Sequence, residues 1–193
     1  MNIVENKRSY EYEIDDMFIQ RWSPRAFSSK PVEQEKIKTL FEASRWAPSC
    51  YNDQPWLFLY ATKEEDLKKF RSILVEQNQR WANHAPVLAF VFARKNFTFN
   101  GKPNRWSEFD AGSAWMSLAF QANKLGLYTH GMAGFNEELA YELLNVSPDE
   151  YKAMAAIAVG YMGDKSELPE DLQEREVLSD RKPLSEVAHE GVL

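Results

Sequence analysis

Cysteine is nearly absent from this chain: Cys50 is the single one among 193 residues. No intramolecular disulfide can form, and no cysteine cluster can hold a structural zinc. Positive charge is in deficit too, with 23 Lys and Arg against 29 Asp and Glu and a formal net charge of −6. That balance argues against a broad nucleic-acid-binding surface but leaves room for a local cationic pocket. The longest uninterrupted apolar run, around residues 85–93, is far too short to cross a bilayer as a helix. The N-terminus is polar, with acidic residues from Glu5 onward, and fits neither a secretory signal nor a transit peptide. There is no internal repeat, no low-complexity tract, and no Ser-His-Asp or His/Cys metal arrangement at useful spacing. Together these absences predict a soluble protein of the reducing cytoplasm, with no metal and neither membrane nor nucleic acid as partner.

What is present favours a packed core. Hydrophobic residues make up 44% of the chain and aromatics 13%, and the length suits one domain over residues 1–193. Apolar periodicity predicts helices over residues 10–20, 33–46, 64–74, 78–83, 110–125 and 137–144, and strands over 57–62, 87–93, 127–132 and 154–160. Val87 to Ala93 is almost wholly apolar, as in a central strand covered on both faces. The helix over 110–125 is apolar around most of its circumference, so it must be buried on several sides, and Gly126 can end it. Residues 97–107 contain Gly101-Lys102-Pro103-Asn104 and read as a loop whose Phe97, Phe99 and Trp106 suit a substrate lid. The tail after Gly163 is charged and proline-punctuated, and is expected to wrap over the surface or a partner subunit. Strands alternating with helices suggest a three-layer α/β or α+β sandwich.

Two polar clusters bracket the second helix. Arg21-Trp22-Ser23-Pro24-Arg25 places two guanidinium groups four residues apart with a hydroxyl between them. Planar cations with fixed forks suit a phosphate and an electron-rich carbonyl edge. Pro48-Ser49-Cys50-Tyr51-Asn52-Asp53-Gln54-Pro55-Trp56 holds small, amide and aromatic residues between prolines. Amides and hydroxyls suit a ribityl chain and a ring of alternating donors and acceptors. The pair therefore reads as half of a flavin site, although each segment alone reads equally as a helix cap or a proline-bounded turn. Gly131-Met132-Ala133-Gly134-Phe135 follows a strand and precedes a helix, where backbone N–H groups can approach a ligand. Ser179-Asp180-Arg181-Lys182-Pro183 adds two cations to an acidic tail. Of the three histidines, His130 adjoins the glycine loop, while His84 and His189 read as structural or solvated.

In this order the segments resemble the nitroreductase family of FMN-dependent NAD(P)H oxidoreductases, over about residues 18–187. The matching motifs are Arg-x-Ser-x-Arg at Arg21 to Arg25, Pro-Ser-x-x-Asn-x-Gln-Pro-Trp at Pro48 to Trp56, and Ala-Gly-Phe at Ala133 to Phe135. Asn78…Trp81-Ala82…Ala85-Pro86 and Arg181-Lys182-Pro183-Leu184 complete them. The resemblance implies an α+β fold, an α/β/α sandwich with a central mixed, mainly antiparallel sheet, and a homodimer with FMN bound at the interface.

Carried over residue by residue, it puts Arg21 and Arg181, with Ser179 beside them, at the phosphate. Trp22 and Ser23 would lie along the ribityl chain or phosphate, Arg25 at the pyrimidine edge, and Asn78 at that edge or the ribityl group. Ala133 and Gly134 would present N–H groups near flavin N5. Pro48, Ser49, Cys50, Asn52 and Gln54 would come from the partner subunit. No side chain is expected to be catalytic in itself; Arg25 and Gly134 would support chemistry carried by flavin N5, with NADH or NADPH as reductant and a small-molecule acceptor. Two positions depart from the pattern. Trp81 stands where some members carry a lysine, and Cys50 where serine is common. The implied activity is reduction of a flat, electron-poor acceptor, against the alternatives of a flavin-binding regulatory protein or a related flavin-dependent dehalogenase or dehydrogenase.

Overall fold

In the computed structural model, which describes residues 8–192, the longest apolar run becomes the strand around which the rest is arranged. β2 (Val87–Arg94) buries every residue but Arg94. It lies inside a four-stranded sheet of order β1-β2-β4-β3, with β1 at Trp56–Ala61, β3 at Tyr128–Met132 and β4 at Tyr151–Gly160. All three ladders are antiparallel, where the resemblance implied a mixed sheet with mainly antiparallel pairs. Val91 pairs with Ala155 and Phe92 with Ala153, so Met154 is the extra residue of a β-bulge. The bulge lets Ala153, Ala156 and Ala158 share one face of the sheet while Ile157 and Val159 take the other.

Helices cover both faces. On one, α2 (Gln34–Arg45) and α5 (Ser107–Lys124) pack Ile37, Leu40 and Leu118 onto Val87, Val91 and Ile157. On the other, α3 (Glu64–Ile73), α4 (Glu76–Ala82) and α6 (Glu137–Leu144) bring Leu67, Phe70, Trp81 and Ala140 against Leu88, Phe90 and Phe92. The result is the expected α/β/α sandwich. The buried side of α5 is rich in alanine: Ala111, Ala114, Ala119 and Ala122 of the helix, like Ala89 and Ala93 of β2, are each at most 2% exposed. α5 ends as its sequence requires. Gly126 takes φ +72°, and the N–H groups of Leu127 and Gly126 donate back to the carbonyls of Ala122 and Asn123.

Some boundaries move for local reasons. The helix expected over 10–20 shrinks to α1 (Asp16–Gln20), because the Asp15 carboxylate accepts the Met17 N–H and starts the helix there, with Asp15 itself non-helical. α5 begins at Ser107 and β4 at Tyr151, each three residues ahead of expectation. The tail carries a short α7 (Glu170–Gln173) and buries Leu168, Leu172 and Glu176, after which residues 179–192 run mostly exposed over the surface. No helix among the described residues is long and apolar enough to cross a membrane.

Candidate functional site

The chain leaves α1 through Arg21, and three devices hold the next four residues in place. Trp22 turns inward, 8% exposed, with its ring edge-on to Tyr128 of β3. His130 of β3 hydrogen-bonds the Pro24 carbonyl through Nδ1 at 2.8 Å and packs on Trp81. Burial pushes this imidazole down to about 4, with the nearby Arg25 and Arg21 adding to the effect against the Pro24 hydrogen bond. It is therefore neutral at physiological pH, and Nδ1–H donates to the carbonyl. Glu176 is the third device. Its carboxylate accepts the Arg25 N–H at 2.8 and 3.0 Å and the Ala26 N–H at 2.9 Å.

Between these anchors Arg21 and Ser23 point outward, joined by an Arg21 Nη1 to Ser23 Oγ hydrogen bond of 3.3 Å. They share a small cavity of about 240 Å³ with Gly131, Trp115, Met116 and Ala119. Arg21 also lines a larger, mainly apolar groove of about 1090 Å³, where the tail brings Ser179 and Arg181 and the N-terminal segment brings Arg8. Burial lowers the Arg21 guanidinium from its usual range, and repulsion from Arg181 and Arg8 lowers it further. An anion would relieve that repulsion, so the three arginines fit a phosphate.

Arg25 is turned differently. Its Nη1 reaches the Arg175 carbonyl at 3.4 Å and lies 4.0 Å from Glu176. Burial and Arg175 lower its pKa while Glu176 opposes them. Asn78 and Gly134 meet directly, as Asn78 Nδ2 donates to the Gly134 carbonyl at 2.9 Å. The fit leaves no room for a side chain, since a Cβ on Gly134 would lie 2.6 Å from Asn78 Nδ2 and 2.9 Å from Val75 Cγ2. The N–H groups of Ala133 and Gly134 donate to no carbonyl among the turn and loop bonds of the described residues. That leaves a pair of donors open to a ligand.

The Pro48 to Gln54 segment lies elsewhere on the same chain. The Cys50 N–H donates to buried Asp110 near the start of α5, at 3.0 Å, whereas the Arg21 cavity opens against Trp115, Met116 and Ala119. Five to nine residues of helix rise about 7 to 14 Å between them, and residues 48–54 line neither cavity. Tyr51, Asn52 and Gln54 all take positive φ (53°, 55° and 50°), an uncommon run for residues with a Cβ. Ser49 Oγ accepts the Gln54 N–H, and the Gln54 amide donates to the Asn52 carbonyl, which fixes the turn. Pro48, Asn52 and Gln54 are exposed, and Cys50 is half-buried. The 97–107 loop rests on this turn, with Phe97 and Phe99 against Tyr51 and the Thr98 N–H donating to Asp53.

The structure thus joins Arg21 to Ser23, brings Arg21, Ser179 and Arg181 to one groove, joins Asn78 to Gly134, and keeps Pro48, Ser49, Cys50, Asn52 and Gln54 out of both Arg21 cavities within one chain. Trp22 keeps its ring against Tyr128 and is 8% exposed. Trp81 is 2% exposed between Phe27 and His130 and so belongs to the core, not to a nucleotide-binding surface. Sequence reasoning missed Arg8 and Glu176. Among the described residues no group of His, Cys, Asp and Glu could hold a metal ion.

The model of the Nitroreductase family matches residues 19–80 and 73–161. A solved structure described as an oxidoreductase containing FMN is 47% identical, covers 97% of this chain and 96% of its own, and superposes with a TM-score of 0.92. Rat (Rattus norvegicus) iodotyrosine deiodinase 1 is 26% identical over 86% of this chain and 68% of its own length. A Rhodopseudomonas palustris (strain TIE-1) protein, provisionally named NADH dehydrogenase/NAD(P)H nitroreductase, is 24% identical over 80% of this chain and 87% of its own.

Proposed function

Because this chain belongs to the nitroreductase family, we propose that it is an FMN-dependent oxidoreductase. In this reading it takes hydride from NADH or NADPH and passes it to a flat, electron-poor acceptor (nitroaromatic, quinone or enone-like) in alternating half-reactions. The observation that carries the reading is the place of Arg21, which hydrogen-bonds Ser23 on one side and on the other shares a groove with Ser179 and Arg181 from the far end of the chain. The 47%-identical structure that contains FMN supports the choice of cofactor. The name of the R. palustris relative supports the choice of reductant.

When bound, FMN supplies a carrier that accepts a hydride at N5 and releases it to the acceptor. The chain's own residues bind and orient it. Arg21 and Arg181 hold the phosphate by charge-assisted hydrogen bonds, with Ser23 and Ser179 as further partners. Arg25 offers a cation to the pyrimidine edge, where negative charge develops on reduction. Asn78 fixes the Gly134 carbonyl, so the N–H groups of Ala133 and Gly134 are held at a constant position for the ring.

The working unit in this proposal is a homodimer. Phe109 (75% exposed) and Met116 (43%) lie seven residues apart on one stripe of α5, and Tyr51 is 80% exposed beside it, an apolar surface that a second copy would cover. That copy would also supply the Pro48 to Gln54 turn, which one chain keeps away from its own Arg21 cavity. Purified protein should be yellow, carry one FMN for each chain, sediment as two chains, and be bleached by NADH or NADPH and recoloured by a quinone. A colourless protein that takes up no added FMN would sink the proposal.

The likeness to iodotyrosine deiodinase 1 favours a second reading, reductive removal of a ring halogen at the same site. Iodide release from iodotyrosine by the reduced protein, with no turnover of quinones or nitroaromatics, would select it.

A further inference from the structure

Arg8 stands thirteen residues before Arg21, outside every motif of the sequence, yet it closes the same mouth. Its Nη1 donates to the carbonyl of Ile19 at 2.8 Å and to that of Arg21 at 2.9 Å. Both carbonyls belong to the C-terminal end of α1, so one guanidinium nitrogen fixes the backbone from which the Arg21 side chain departs. Arg8, Arg21 and Arg181 all line the 1090 Å³ groove. Their fields overlap, since Arg181 lowers the pKa of both Arg8 and Arg21 and Arg8 adds to the lowering at Arg21. Among the described residues, two carboxylates share the rim. Asp180 partly offsets the Arg8 charge, and Glu11 is engaged with the Leu184 N–H at 2.8 Å. Lys182 is turned to Glu186 at 3.3 Å. A residue placed only to brace α1 would not need a guanidinium facing two others.

We propose that Arg8 is a third member of the phosphate-recognition set, which holds the Arg21 backbone and adds a positive charge that makes the site prefer a phosphorylated flavin over an unphosphorylated one. The assignment rests on the FMN reading above. It makes the N-terminal segment a specificity element of the cofactor site rather than a surface tail.

Flavin titrations of the full-length chain, freed of endogenous flavin, test it by fluorescence quenching with FMN and with riboflavin, which lacks the phosphate. Arg8→Gln removes the charge and leaves a shorter, neutral polar side chain, so FMN affinity should fall on the order of tenfold with riboflavin affinity unchanged. Arg8→Lys keeps the charge and should retain most of the preference for FMN. The preference of the wild type should also weaken with added salt more steeply than that of Arg8→Gln. Unchanged riboflavin binding reports an intact fold in the variant. Equal loss of FMN and riboflavin in Arg8→Gln, or no loss of FMN, would overturn the assignment and leave the function standing. A wild type that binds neither flavin would overturn both.

Discussion

Replacing Glu176 by Ala removes an acceptor on which two backbone donors depend, and the cost can be worked from the geometry. The Glu176 side chain is 3% exposed and receives the N–H groups of Arg25 and Ala26 at 2.8 to 3.0 Å. Its approach to the Arg25 guanidinium is 4.0 Å, so the ion pair is the smaller part of its role. Deleting the carboxylate strands both N–H groups in a space closed to bulk water. Each stranded donor costs about 1–3 kcal/mol, so the pair should cost about 4 kcal/mol. Glu176→Gln keeps one acceptor oxygen and should cost about half that. Arg25→Ala leaves all the N–H contacts and should cost about 1 kcal/mol. For a chain of this size each kcal/mol lowers the melting temperature by about 2–4 °C, which puts Glu176→Ala about 8–16 °C below wild type. Urea and thermal unfolding at one fixed protein and flavin concentration give the comparison, because a dimer and a ligand both shift apparent stability. A Glu176→Ala protein within about 1 kcal/mol of wild type, or one no weaker than Arg25→Ala, would refute the reasoning.

Two other residues give independent tests. His130 is held down to about 4 from its usual 6.5, so the unfolded chain takes up its proton first. Its contribution is fully present above pH 6.5 and is lost as pH falls toward 4, by up to about 3 kcal/mol. His130→Gln should flatten the dependence of the urea midpoint on pH in that window, and curves that stay parallel would show that His130 titrates normally. Gly134→Ala would drive a methyl into Asn78 Nδ2 and Val75, and should destabilise the protein by about 1–3 kcal/mol while weakening FMN retention. Unchanged unfolding and unchanged flavin release on dilution would mean that the loop yields without consequence.

The layers and the central strand were legible because their signal is local. Val87 to Ala93 carries its burial in its own composition, and Gly126 marks the end of α5 unaided. Arg21 and Ser23 stand in one motif and are hydrogen-bonded, and Arg181 lines a groove with Arg21. What escaped depends on contacts far apart in the chain. Glu176 sits in Gln-Glu-Arg-Glu, a run that reads as a solvated face, and only its bonds to Arg25 and Ala26, about 150 residues away, give it a role. Arg8 lies between Lys7 and Ser9 with no periodicity to single it out. Trp22 shows a motif residue whose surroundings the sequence does not reveal. Its place inside the Arg-x-Ser-x-Arg motif suggested a ligand, but a large apolar ring beside β3 is better satisfied by Tyr128.

The layer of buried alanines on α5 limits how this protein can change. Alanine has no rotamers to freeze, so Ala111, Ala114, Ala119 and Ala122 add contact without the side-chain entropy that larger residues lose on folding. They also cannot be trimmed except to glycine. A scan that truncates side chains would pass over this wall unseen, whereas enlargement to valine or leucine would overpack it and cost about 1–3 kcal/mol at each position. One side of the Arg21 cavity is formed by Ala119 in this layer. Change in this protein is therefore channelled to the parts that can lengthen or swap residues without forcing the layers apart, namely the 97–107 loop and the two chain ends, while the helical wall behind the Arg21 cavity stays fixed.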